Sequence, residues 1–143
     1  MSPAAPQLQP FASSFEAPSV QQMSAAGLRA FGRIAEAWAL TVDEQIKLLG
    51  EPARSTFFAW RKTPEVAKLS RDTLERLSNL LGIYKSLQIL LPDASAADRW
   101  VRQPNTAPMF GGRSALDRML AGNVVDLHAV RRYLDAVRGG GWS

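Results

Sequence analysis

The chain has no cysteine and only one histidine, His128, in 143 residues. Without cysteine there are no disulfides, thiolate metal ligands or thiol nucleophiles. A zinc site would have to be completed by carboxylates around His128, a poor match to the common ligand sets. A Ser-His-Asp arrangement through Ser114, His128 and Asp126 lacks any nucleophile motif around the serine, and a place on a solvated helix surface accounts for His128. No metal, cofactor or enzymatic activity is therefore expected. Long hydrophobic runs are also missing: no stretch reaches the roughly 18 apolar residues of a membrane span. No basic segment precedes an apolar run at the N-terminus, as a secretory signal would require. The expectation is a cytoplasmic protein with no membrane partner.

The chain has 46% hydrophobic and 21% charged residues, enough for a core in one compact domain or two very small ones. A net charge of +4 permits contact with a polyanion without requiring it. Residues 1–24 carry Pro3, Pro6, Pro10 and Pro18, with apolar residues scattered between them. Too little apolar surface is gathered there to offset ordering entropy, so the segment is expected to be a flexible arm.

From Ala25 the texture turns helical. Leu28, Phe31, Ile34, Ala35 and Trp38 recur at spacings of three and four. Thr41 with Glu44 forms a capping box ahead of a second helix, whose buried face is Ile46, Leu48 and Leu49 and whose end is Gly50. After Pro52, a short helix over 53–62 places Phe57 and Trp60 on one buried face with Ala53. Ser70 opens a long helix carrying Leu74, Leu77, Leu81, Tyr84, Leu87 and Leu91, interrupted by Gly82 and stopped by Pro92. Gly82 marks a kink, a close helix contact or merely a tolerated glycine. Three shorter helices are expected near 95–102, 114–121 and 126–138. The last has Leu127, Val130, Leu134 and Val137 inside and Arg131, Arg132, Asp135 and Arg138 outside. No segment alternates with period two, so the fold class is all-α.

A helix, a glycine-containing turn and a short helix with a polar free face have the pattern of a helix-turn-helix. The second helix must bury one stripe while presenting polar groups to base edges. Arg54, Ser55 and Thr56 stand at its N-terminal end, where such helices meet the bases. Arg61 and Lys62 at the far end suit phosphates. A helical hairpin with a solvated basic face satisfies the same pattern. Residues 25–91 hold ten Lys or Arg against seven Asp or Glu, a small excess for one copy. A dimer would double it and match half-sites about 34 Å apart.

In the C-terminal region, Trp100 suits the core of a small domain. Trp142 follows Gly139-Gly140-Gly141 and suits insertion into a partner's pocket, or else belongs to a frayed tail. Gly111-Gly112-Arg113-Ser114 is read either as a phosphate cradle or as a helix start capped by Ser114.

The runs Ser70-Arg71-Asp72-Thr73-Leu74-Glu75-Arg76-Leu77 and Leu81-Gly82-Ile83-Tyr84-Lys85 resemble the central helix of the Xre/MbcA/ParS antitoxin family. Trp100-Val101 to Pro104-Asn105, Phe110-Gly111-Gly112-Arg113-Ser114 and Val130-Arg131-Arg132-Tyr133-Leu134-Asp135 resemble its C-terminal toxin-binding domain. The similarity covers about residues 25–143. One departure is Ala115, where the family often has proline; alanine is also a good first-turn residue.

The resemblance implies an Xre-like helix-turn-helix over 25–92 and a toxin-binding domain over 93–143. The implied partners are a RES-domain toxin that consumes NAD, operator DNA, a second copy of the chain and a higher-order toxin–antitoxin complex. The toxin's cleft would be covered by Asn105, Arg113, Arg131, Tyr133, Arg138, Gly140 and Trp142, with the last helix and tail nearest to it. The rival expectation is a stand-alone dimeric transcription regulator without a toxin.

Overall fold

Four helices of the computed structural model, which describes residues 19–139, begin on a hydroxyl side chain. Ser19 opens α1 (Val20–Ala37), Thr41 opens α2 (Val42–Leu48), Ser70 opens α4 (Arg71–Leu90) and Ser114 opens α6 (Ala115–Met119). Each hydroxyl accepts the backbone N–H three residues on, satisfying a donor the helix cannot. At Ser19, Thr41 and Ser114 the side chain of that third residue returns the bond, completing a capping box. α3 (Arg54–Lys62), α5 (Ala94–Trp100) and α7 (Val124–Arg138) start without a side-chain cap. A 3-10 turn, Pro64–Val66, follows α3. Among the described residues there is no strand, only an isolated bridge between Pro104 and Ser114. The chain is all-α.

One boundary moves. Residues 20–24, expected in the flexible arm, form the first turns of α1, and Ser24 is buried. The cause is the Ser19–Gln22 box, which starts the helix ahead of the apolar stripe. Residues 1–18 lie outside the described residues.

α4 is the centre of the fold, packed by α1, α5 and α7. Phe31, Ile34 and Trp38 from α1 and its end meet Leu77, Leu80, Ile83 and Leu87 of α4, with Leu127, Val130 and Leu134 of α7 in the same core. Leu74, Leu81, Tyr84 and Leu91, four of the six residues in the stripe expected for α4, are only half-buried. Thr73, Arg76, Asn79 and Ser86 are buried instead. A helix enclosed from several sides does not follow a single apolar stripe.

α7 meets α4 through a polar seam. Ser78, Gly82 and Ser86 are spaced four apart on α4, so they share one face. Arg131 Nη1 donates to the Ser78 carbonyl at 3.1 Å, and Arg138 Nη1 donates to Ser86 Oγ at 3.2 Å. Ser86 Oγ donates to Asp135 at 3.4 Å. A Cβ on Gly82 would stand 2.5 Å from Arg131 Nε, so glycine here makes room for the guanidinium. Of the alternatives for Gly82, the structure shows the close helix contact. Arg131 and Arg138 therefore have partners within the fold, where the sequence placed them outside. Val137, expected inside, is 47% exposed because it lies beyond the end of the packed stripe.

Candidate functional site

α2 and α3 are joined by a turn whose geometry is set at Gly50. Gly50 N–H bonds to the Lys47 carbonyl and Glu51 N–H to the Ile46 carbonyl, a Schellman ending of α2. Gly50 has φ +95°, and a Cβ there would lie 2.9 Å from Asp72 Oδ2 and 3.0 Å from Arg76 Nε. Glycine is required twice over, for handedness and for contact with the start of α4. Beneath the turn, Arg76 is buried and bonds Asp72 at 2.7 Å. Thr73 Oγ1 donates to the Leu49 carbonyl at 3.4 Å.

Phe57 is the anchor of α3 at 1% exposure, while Trp60 is half-buried and Ala53 is exposed. The opposite face is free. Arg54, Ser55, Thr56, Arg61 and Lys62 are all exposed, so the five expected DNA-reading residues share one short helix and its accessible surface. Arg54 rests on two supports, a 2.8 Å pair with Asp43 and the Phe58 ring at 5.8 Å. Both partners of the pair are largely solvated, so it is worth little and yields readily to a phosphate or base edge. The Arg61 guanidinium lies 5.8 Å from the centre of the Phe57 ring.

Phe58 is 44% exposed on this face and was missed. Its signal was the pair Phe57-Phe58: neighbours on a helix point about 100° apart, so one anchor displaces the other from the core. An exposed ring on such a face suits a thymine methyl. Behind the helix, Arg29 donates to Glu65 at 2.7 Å, tying α1 to the 3-10 turn; that bond holds the Glu65 carboxyl below its ordinary pKa.

The second region is the loop before α6 and its neighbours on α5 and α7. Asn105 closes the loop: its N–H bonds to the Arg113 carbonyl at 3.0 Å, its carbonyl accepts from Gly112, and its side-chain oxygen accepts from Ala107 N–H. Trp100, Phe110 and Tyr133 form an aromatic cluster, with Phe110 buried and Tyr133 stacked on Trp100 at 6.5 Å. Beside it, Leu90, Leu91 and Val137 line an apolar cleft at the end of α7.

Arg113 projects outward, with 78% side-chain exposure and a loose 3.8 Å pair to Asp117. The structure thus gathers Asn105, Arg113 and Tyr133 around one loop. Arg131 stands about 200° around α7 from Tyr133, against α4, so it is not on that surface. Arg138 reaches Ser86. Gly140 and Trp142 lie outside the described residues.

Ser114 is occupied as a cap and Asp126 bonds Arg118 at 3.2 Å, while His128 is exposed on α7. The loop does not present a phosphate cradle, because the Asp117 carboxylate already accepts the Ser114 N–H. Between the two regions, Arg102 donates to the carbonyls of Trp38 and Ala39 and pairs with Glu44 at 3.0 Å, clamping the α1–α2 corner.

Residues 19–82 match the antitoxin Xre-like helix-turn-helix domain. Residues 86–140 match the antitoxin Xre/MbcA/ParS C-terminal toxin-binding domain. The chain belongs to the Xre/MbcA/ParS antitoxin family. This antitoxin is also similar to an uncharacterized protein, y4oB, of Sinorhizobium fredii (strain NBRC 101917 / NGR234). The two are 56% identical over 115 residues, covering 80% of this chain and 86% of the relative. α2, the Gly50 turn and α3 lie within the matched helix-turn-helix domain of the antitoxin; the loop, α6 and α7 lie within its matched toxin-binding domain. No helix among the described residues is long and apolar enough to cross a membrane.

Proposed function

We propose that this antitoxin neutralises a RES-domain, NAD-consuming toxin by covering its active site, and that it represses its own operon as a dimer. The observation that carries the reading is the pairing of the two matched domains in one chain, helix-turn-helix first and toxin-binding domain second. Arg54, Ser55 and Thr56 read base edges, Phe58 adds an apolar contact, and Arg61 and Lys62 take phosphates. Asn105 shapes the loop that presents Arg113 and the aromatic cluster around Tyr133 to the toxin. Gly140 and Trp142 extend that surface toward the toxin's cleft. Arg131 and Arg138 hold α7 in place unless the toxin draws them from Ser78 and Ser86. The protein acts in the cytoplasm, without cofactor or catalysis.

The test is co-expression with the neighbouring open reading frame, followed by pull-down, growth and NAD measurement. A neighbour that is toxic and depletes NAD alone, but is bound and silenced by this chain, supports the reading. A harmless, unbound neighbour favours a stand-alone regulator. Separately, Arg54→Ala with Arg61→Ala should abolish the specific gel shift and leave toxin binding intact; an unchanged shift would mean that another helix reads the operator.

A further inference from the structure

Two large apolar side chains of α1 stand in water. Val20 is 69% and Met23 58% exposed, and both line an apolar groove between α1 and α4. They do not belong to a loose helix end. Gln21 Nε2 donates to the carbonyls of Glu65 and Ala67, both at 2.7 Å, and Arg29 pairs with Glu65, so α1 is tied down along its other side. Ala26, Gly27 and Ala30 supply the rest of the α1 lining, and Leu74, Leu81 and Tyr84 line the α4 side.

Val20, Met23, Gly27 and Ala30 step by three or four, so they share one face of α1. That face also matches itself when turned end for end. About a centre between Ala26 and Gly27, Met23 exchanges with Ala30 and Val20 with Arg33. A large side chain thus stands opposite a small one, and the smallest residues sit at the crossing, where two helix axes can approach to about 8 Å. Self-matching under a half-turn is what a twofold dimer requires of its interface.

We propose that α1 of a second copy packs antiparallel on this face, with Met23 of each copy seated against Ala30 of the other. This rests on the proposed dimer and gives it a face and a register. Charge is compatible with this occupant. Arg33 and Lys85 line the groove, which holds no acidic residue. Antiparallel packing sets the two Arg33 side chains at opposite ends of the contact, 13 residues along α1, or about 20 Å. That is roughly twice the distance over which exposed charges stay coupled in physiological salt. Each Arg33 then lies at the end that holds Val20 of the other copy, whose apolar surface its methylene stem can cover. An unrelated acidic partner accounts for the cations but not for the self-matching order along α1.

The test compares full-length variants by sedimentation equilibrium, with circular dichroism to check helix content. The parent is expected to be a dimer. Met23→Asp, at a position exposed in the single chain, should keep its helix content and weaken dimerisation at least about 100-fold, since each copy then buries an unpaired carboxylate. Met23→Asp with Ala30→Lys should restore the dimer, because the new charges meet between copies; within one chain they stand about 10 Å apart along the helix. The absence of cysteine permits a second measurement. Ala26→Cys, beside the twofold axis, should oxidise to a disulfide-linked dimer, and Glu36→Cys, exposed and well off this face, should not. A Met23→Asp protein that stays dimeric would overturn the face while leaving the dimer standing, and a monomeric parent would overturn both. No linked Ala26→Cys dimer would overturn the register, whatever the folding of the aspartate variant. Loss of toxin binding by Met23→Asp at unchanged mass would assign the groove to the toxin instead.

Discussion

Replacing Gly82 with alanine sets two effects of similar size against each other. Alanine in a helix interior is favoured over glycine by about 1 kcal/mol. At this position, however, the new Cβ would lie 2.5 Å from Arg131 Nε and 2.6 Å from its Cζ, so the guanidinium must leave. It then gives up its bonds to the carbonyl and hydroxyl of Ser78, together worth about 1 kcal/mol at a partly solvated site. Arg131 is a flexible chain with Asp135 4.0 Å away to lean toward, so the displacement adds little strain. Gly82→Ala should therefore change stability by no more than about 0.5 kcal/mol in the parent. In an Arg131→Ala background the same substitution should stabilise by about 1 kcal/mol. Urea denaturation of the four proteins in the cycle measures the coupling. An equal gain in both backgrounds would refute the seam as described.

Gly50→Ala should destabilise by at least about 1–2 kcal/mol, since left-handed strain adds to the collision with Asp72 and Arg76; a neutral result in the same denaturation assay would count against the turn. Phe57→Ala should cost about 3–5 kcal/mol and Trp60→Ala clearly less, because only Phe57 is fully buried; the reverse order would place the wrong ring in the core. Ala39 has φ 52° at the Schellman ending of α1, so Ala39→Gly should raise stability by about 0.5 kcal/mol after allowing for the looser unfolded chain. A loss of stability there would show that the left-handed residue is unstrained. Glu65 has a lowered folded pKa, so its contribution is complete above the unfolded value and is lost as pH falls through the folded one. Carboxyl titration by NMR should show that depression shrink in Arg29→Ala, because the backbone hydrogen bond at Glu65 remains.

Much of the fold was legible because caps and stripes act locally. Thr41, Ser70 and Ser114 sit where their hydroxyls meet the first free N–H groups, and each starts a helix at the expected place. Ser19 was hidden because it directly follows Pro18 at the end of a proline-bearing segment, and a capping box needs only its own two side chains. The polar seam was illegible for a different reason. Reading by pattern sends every arginine to solvent, and nothing in Arg131 alone reveals that Gly82, 49 positions earlier, leaves room for it. On α3, the exposure of the basic and hydroxyl residues was legible from their positions, whereas that of Phe58 required knowing which of two adjacent rings is the anchor. The loop around Asn105 was visible as proline and glycine, but its closure by the backbone bond from Asn105 to Arg113 is a pairing that composition does not encode.

The two matched domains meet between residues 82 and 86, inside the continuous helix α4. No pliable segment separates the helix-turn-helix domain from the toxin-binding domain; a common axle about 30 Å long serves both. Severing the chain at residue 82 cuts the axle itself, and severing it at residue 92 strips Leu80, Ile83 and Leu87 of the α7 side chains packed in the same core. Neither fragment should keep a native fold. Exchanging toxin specificity between relatives therefore calls for grafting the surface of the loop and α7 onto an intact α4, because a crossover at the boundary of the two domains would join mismatched halves of one helix.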